Sequence, residues 1–160
     1  MKYRYDQITS DFKCKHCHHY VTTDPVLSGV NNRNHCPYCL WSKCLDLYEP
    51  GDRLSACKAE MQPVGLTLKQ TNKKYGKQQG ELMVIHVCLA CDKVSINRIA
   101  ADDDPEGLIA IFENSWRINP QTLSLVEKNG VQTLNHQDED IVRARLYGWN
   151  EYSMVQQVFA

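Results

Sequence analysis

Residues 33–44 read RNHCPYCLWSKC, with three thiols inside nine positions and a proline and tyrosine between the first two. The tetrapeptide CPYC occurs in glutaredoxin-like active sites and in metal knuckles alike. The other cysteines decide between redox chemistry, a disulfide framework and a metal. Two more C-x-x-C pairs are present, Cys14/Cys17 and Cys88/Cys91, and two cysteines stand alone, Cys44 and Cys57. Cys14, Cys17, Cys36 and Cys39 are spaced C-x2-C-x18-C-x2-C, the pattern of a four-thiolate zinc site. Two residues between thiols let one tight turn aim both sulfurs at one ion, and a second turn completes the tetrahedron. Cys44, Cys57, Cys88 and Cys91 are left over, the number that a second closed site needs.

A glutaredoxin reading requires a strand before CPYC and a helix after it; NNRNH precedes it and no such frame follows. A zinc deaminase would carry H-x-E and P-C-x-x-C strings, and neither occurs. His86 is the rival ligand for the second quartet, but it alternates with Ile85 and Val87 along a strand pattern, which puts it on the opposite face or at the surface. His16, His18, His19 and His35 crowd the first quartet as neighbours of the sulfurs. Asn34 and His35 read as groups steadying the Cys36–Cys39 turn from outside the ligand set. Both quartets leave no position for water or substrate, so the expected ions are two structural Zn2+, with iron as the alternative that sulfur quartets also accept. Their binding energy would be folding energy, on the order of 10 kcal/mol per site.

Size and charge agree with a small metal-stabilised protein. The 160 residues hold eight cysteines, and the start, MKYRYDQITSDFKCKHC, shows neither the apolar run nor the cleavage site of a secretory signal. No stretch nears the roughly 18 apolar residues of a membrane span. A cytoplasmic setting, with thiols reduced, is the expectation. Residues 1–100 carry 14 Lys/Arg against 9 Asp/Glu, a net of +5, whereas residues 101–160 carry 4 against 10, a net of −6. All eight cysteines lie in the basic part.

The pattern of elements predicts a small α+β fold, an antiparallel zinc-ribbon-like β module followed by a helical segment. PVGLTLKQ (63–70), ELMVIHVC (81–88) and KVSINRI (93–99) read as three strands, the first two joined by the polar loop TNKKYGKQQG and the last two by a thiol turn. After residue 100, Asp104–Pro105 and Asn119–Pro120 each write a helix start, and Gly130 a stop. A third helix falls in HQDEDIVRARLYG, with acids first and arginines last. Trp149, Tyr152, Val155 and Phe159 form a stripe expected to pack on the module. The division is 10–106 for the double metal module and 107–160 for the acidic extension.

RNHCPYCLWSKC, PGDRLSAC (50–57), VIHVCLACDKVSINRIAADDDP (84–105) and the earlier FKCKHC (12–17) together resemble the bacterial RNHCP-domain family, over roughly residues 10–106. The resemblance implies a zinc-ribbon-like domain with metal ligands at the cysteines just assigned, and it supplies no function. Zinc ribbons commonly carry glycine after the second cysteine of a knuckle. Here His18, Leu40 and Asp92 stand there.

These residues bear on three kinds of job. Lys69, Lys73, Lys74 and Lys77 around Tyr75, with Lys93 and Arg98 on the next strand, suit contact with RNA or a ribosomal particle, cations taking phosphates and the ring a base. The alternative is a protein-interaction adaptor that docks through Tyr147, Trp149, Tyr152 and Phe159. Catalysis is the third: Asp102, Asp103 and Asp104 could hold magnesium, but read as helix cap and dipole complement. No nucleophile–base pair, phosphate-cradling loop or cofactor fingerprint is visible, so neither an enzyme nor a small-molecule substrate is expected.

Overall fold

A computed structural model describes residues 11–69 and 80–148. Two antiparallel sheets are present among them. The smaller pairs β1 (Phe12–Lys13) with β2 (Tyr20–Val21) around the first knuckle. A single helical turn, α1 (Pro25–Ser28), follows. The larger sheet has the order β3-β4-β5-β6, from β3 (Ser42–Lys43), β4 (Glu60–Lys69), β5 (Glu81–Cys88) and β6 (Val94–Arg98). The three strands read from alternation are therefore present, and β3 adds a fourth. The loop 70–79, with Lys73, Lys74, Tyr75 and Lys77, lies outside the described residues, as do Trp149, Tyr152, Val155 and Phe159.

β5 is buried on both sides, which explains its near-continuous apolar run. Leu82 and Val84 face a core shared with Leu40, Leu66, Leu108, Ile109, Phe112, Leu134 and Val142. Ile85 and Val87 face the other way, onto Val126. Helices α2 (Pro105–Asn114) and α4 (Glu139–Tyr147) thus cover one face of the sheet and α3 (Pro120–Lys128) covers the other. The caps are those expected: Asp104 accepts from the Glu106 amide and Asn119 from that of Thr122, each ahead of a proline. Tyr147 packs against the main core. The helices after residue 106 and the sheet before it therefore share one apolar interior.

β4 carries a bulge between Pro63 and Gly65. A Cβ at Gly65 would lie 2.9 Å from Thr133 Cγ2 and 3.3 Å from Ser115 Cβ, so glycine is what lets these segments cross the strand. The crossing chain is fastened by Leu134 N–H to Leu66 O at 2.9 Å and Thr67 Oγ1 to Gln132 O at 2.7 Å. β3 pairs with one end of β4 and residues 132–134 bond the other, which covers an otherwise open edge. Among the described residues no helix is long and apolar enough to cross a membrane.

Candidate metal centres

Each knuckle is a turn held by a pair of backbone hydrogen bonds. In the first, Cys14 N–H donates to His19 O at 2.8 Å and His18 N–H to Cys14 O at 2.9 Å. In the second, Cys36 N–H donates to Trp41 O and Leu40 N–H to Cys36 O, both at 2.9 Å. His18 and Leu40 each adopt φ of 66°, the left-handed region that glycine would occupy. The geometry of a glycine knuckle is thus kept without the glycine. The two turns bring Cys14, Cys17, Cys36 and Cys39 together, with all four sulfurs within 4.8 Å of one another.

The first centre is bracketed by two aromatic stacks in equivalent positions. His16, between the cysteines of the first knuckle, stacks on Trp41, two residues past the second, with ring centroids 4.0 Å apart. Tyr38, between the cysteines of the second knuckle, stacks on His19, two residues past the first, at 4.6 Å. His19 Nδ1 also lies 3.3 Å from Cys17 Sγ.

The second centre explains the two solitary cysteines. Cys44 N–H donates to Ala59 O at 2.9 Å and Lys58 N–H to Cys44 O at 3.0 Å. Lys58, immediately after Cys57, has φ of 54°. These are the hydrogen bonds and the left-handed residue of an ordinary knuckle, with residues 45–56 looped out between its two thiols. Cys44 and Cys57 therefore form a split knuckle. Its partner is Cys88/Cys91, where Cys88 N–H meets Lys93 O at 2.8 Å and Asp92 has φ of 61°. Cys44, Cys57, Cys88 and Cys91 again lie within 4.8 Å of one another.

Sulfur separations are 3.6 Å for Cys14–Cys39, 3.5 Å for Cys17–Cys36, 3.7 Å for Cys44–Cys91 and 3.6 Å for Cys57–Cys88. A disulfide would need about 2.05 Å. Four sulfurs at about 2.3 Å from one ion span tetrahedral edges of about 3.8 Å. Both quartets fit that figure, and both could hold a metal ion. Burial pushes the Cys36 thiol up to about 11 and the Cys44 thiol up to about 12, and raises Cys39 and Cys91 as well. Cys14 and Cys88 are held below the usual thiol value: burial opposes this, but the amides of Cys17 and His16, and of Cys91 and Ala90, outweigh it. A divalent cation is what would allow all four sulfurs of a quartet to ionise side by side.

The side chains of Asn34 and His35, which flank the Cys36–Cys39 turn, bond carboxylates. His35 Nε2 donates to Asp103 Oδ2 at 2.7 Å, deep inside the protein. Arg33 is likewise buried: its guanidinium meets Asp102 Oδ2 at 2.8 Å and Asp103 Oδ1 at 3.1 Å, and its Nε meets His35 O at 3.0 Å. Asn34 Nδ2 donates to Asp46 Oδ2 at 3.0 Å, while its Oδ1 accepts from Arg53 Nη1. The aspartate run divides its labour accordingly: Asp104 caps α2, while Asp102 and Asp103 neutralise Arg33. Nothing in local spacing could reveal these pairings, because the partners are 68 to 70 positions apart.

His86 is fully buried rather than at the surface. It bonds Leu40 O through Nε2 and Asn97 through Nδ1, each at 2.7 Å, and takes no part in the quartet. Burial, then the charge of His35, lowers its imidazole to about 3. It is neutral in the fold.

Of the cations assigned to nucleic acid, Lys69, Lys93 and Arg98 lie among the described residues. Lys93 Nζ donates to the carbonyls of Asp46 and Leu47, pinning the looped-out insert. Arg98 Nε lies 2.6 Å from Glu81 Oε1. Lys69 is exposed at the end of β4, opposite Glu81. Lys43, which burial and then the charges of Lys15 and Lys58 hold below the usual lysine value, was not singled out by the sequence.

Antiparallel sheets, two four-cysteine centres and C-terminal helices together define a small α+β protein built around paired thiol knuckles. The chain belongs to the RNHCP domain family, which matches it over residues 9–109. No curated protein and no solved structure matches it.

Proposed function

We propose that the protein is a zinc-stabilised binding module, cytoplasmic and without turnover, that contacts RNA or a ribonucleoprotein particle. The observation that carries the metal half is the pair of sulfur quartets, each within 4.8 Å and each using four protein ligands. A zinc ion held by four thiolates has no site for water or substrate, so it supplies cross-linking and charge rather than chemistry. Reduced thiols suit a reducing compartment. The RNA half rests on the basic character of residues 1–100 and on the lysines of the β4–β5 connection, which sequence places around Tyr75.

Native mass spectrometry with elemental analysis, on protein purified without added metal, tests both halves. Two zinc atoms per chain with co-purifying RNA is the expected result. Iron in place of zinc would overturn the choice of ion. The RNA assignment fails if reversing charge at Lys73, Lys74 and Lys77 leaves RNA retention unchanged.

A further inference from the structure

Besides that connection, the described surface carries a second group of cations, and its members come from three separate places in the chain. Lys15 sits between the cysteines of the first knuckle, Lys43 lies in β3 directly before Cys44, and Lys58 directly follows Cys57. Lys15 and Lys58 are exposed and Lys43 is half-buried; the Lys58 amide bonds the carbonyl of Cys44, next to Lys43, at 3.0 Å. Among the described residues no carboxylate pairs with any of the three ammonium groups; the nearby Glu60 reaches His16 instead, at 3.6 Å. Lys15 and Lys43 line one small depression together with His16 and Trp41, the half-exposed pair whose rings are stacked 6° from parallel. Glu60 lines the same depression, opposite Lys43 across the β3–β4 pair; three ammonium groups against this one carboxylate still leave a positive excess that favours an anion from outside.

We infer that Lys15, Lys43 and Lys58, beside the His16–Trp41 stack, form a contact site for single-stranded RNA between the two metal centres. The lysines take consecutive backbone phosphates, and a base extends the existing ring stack, the combination by which single strands are gripped without sequence preference. This deepens the RNA reading given above and rests on it. The competing account is internal: zinc with four thiolates carries a net charge of about −2, and these lysines flank both centres.

The experiment compares wild type with K15Q/K43Q/K58Q in fluorescence anisotropy, using a labelled oligouridine of about a dozen nucleotides over a range of salt concentrations. Zinc content is measured on the same samples. The expected result is about a tenfold or greater loss of affinity at low salt with both zinc ions retained. The slope of log affinity against log salt should flatten by about 2, the release expected when three phosphate contacts to a single strand are lost. Equal affinity and slope in the two proteins would overturn the inference while leaving the RNA reading in place. Loss of zinc from the triple variant would also overturn it, in favour of charge compensation. Lys15→Glu alone, exposed and on a turn closed by backbone bonds, should weaken RNA binding without touching metal content; unchanged binding there counts against the site. Wild type that fails to bind the oligonucleotide at low salt would instead sink the RNA reading as a whole.

Discussion

His18, Leu40, Lys58 and Asp92 hold φ between 54° and 66° although none is glycine. A left-handed residue with a Cβ costs about 1–2 kcal/mol, and the cost recurs at all four knuckles. Its relief depends on what the side chain does. His18 is exposed, so His18→Gly should raise the stability of the metal-loaded protein by about 0.5–1 kcal/mol in urea denaturation. Leu40 is 1% exposed and packs in the main core, so Leu40→Gly should instead lower stability by about 2–4 kcal/mol. If both substitutions shift stability in the same direction, backbone strain is not what separates them. The turn was hidden in the sequence for the same reason: its usual marker, glycine, is absent, and only the spacing of thiols betrayed it. The RNH of the opening tract was equally opaque. Arg33 and His35 bind aspartates far along the chain, Asn34 binds Asp46 twelve positions on, and Asp103 alone accepts from Arg33, His35 and the Ala100 amide. Asp103→Asn leaves a buried guanidinium half-paired and should cost about 3–5 kcal/mol, with metal content unchanged.

Elements were legible wherever a repeating pattern backed them. Alternation exposed the stretches that became β4, β5 and β6, and an acid or amide before proline exposed the starts of α2 and α3. β3 has only two residues, too few for any period to register. Cys44 and Cys57 looked solitary because a knuckle is recognised by its two-residue gap, and here the gap is twelve residues long. What joins them is a hydrogen-bond pattern, which leaves no trace in composition. The helices proved more deeply involved than their acidic composition suggested, since Phe112 is fully buried among sheet residues. Phe112→Ala should cost about 3–5 kcal/mol. A chain ending at residue 106 removes Leu108, Ile109, Phe112, Leu134 and Val142 from the core and should fail to unfold cooperatively in a calorimeter, even with zinc supplied.

At the scale of the whole molecule, stability is divided between an apolar core and two thiol clusters with small apolar surrounds of their own. Metal removal should therefore act unevenly. Chelation is expected to make residues 11–57 protease-sensitive while most of the helical far-UV signal persists; loss of both together would mean that the core cannot stand alone. Acid should do the same as a chelator. Burial keeps the Cys36 and Cys44 thiols protonated in the metal-free protein, at about 11 and about 12, so metal entry must displace protons and affinity must fall as pH falls. Zinc release followed with a colorimetric chelator from neutral pH downward should show this, and release independent of pH would contradict thiolate ligation. The split knuckle carries a consequence for the continuity of the chain itself. Cys44 and Cys57 are tied at their base by two backbone hydrogen bonds and converge on the same ion site, so the peptide between them is not needed to keep those ends together. A single cut within residues 47–54 should produce two polypeptides that still travel as one particle. They stay joined by the ion as well as by Leu40 in the core and Arg33 and His35 on Asp103, and should separate at a lower urea concentration once the ion is withdrawn. At that point in the fold an ion would substitute for a covalent bond, and foreign sequence could be added at the exposed stretch 48–50 while the insert's ties to Lys93 and Asn34 are kept.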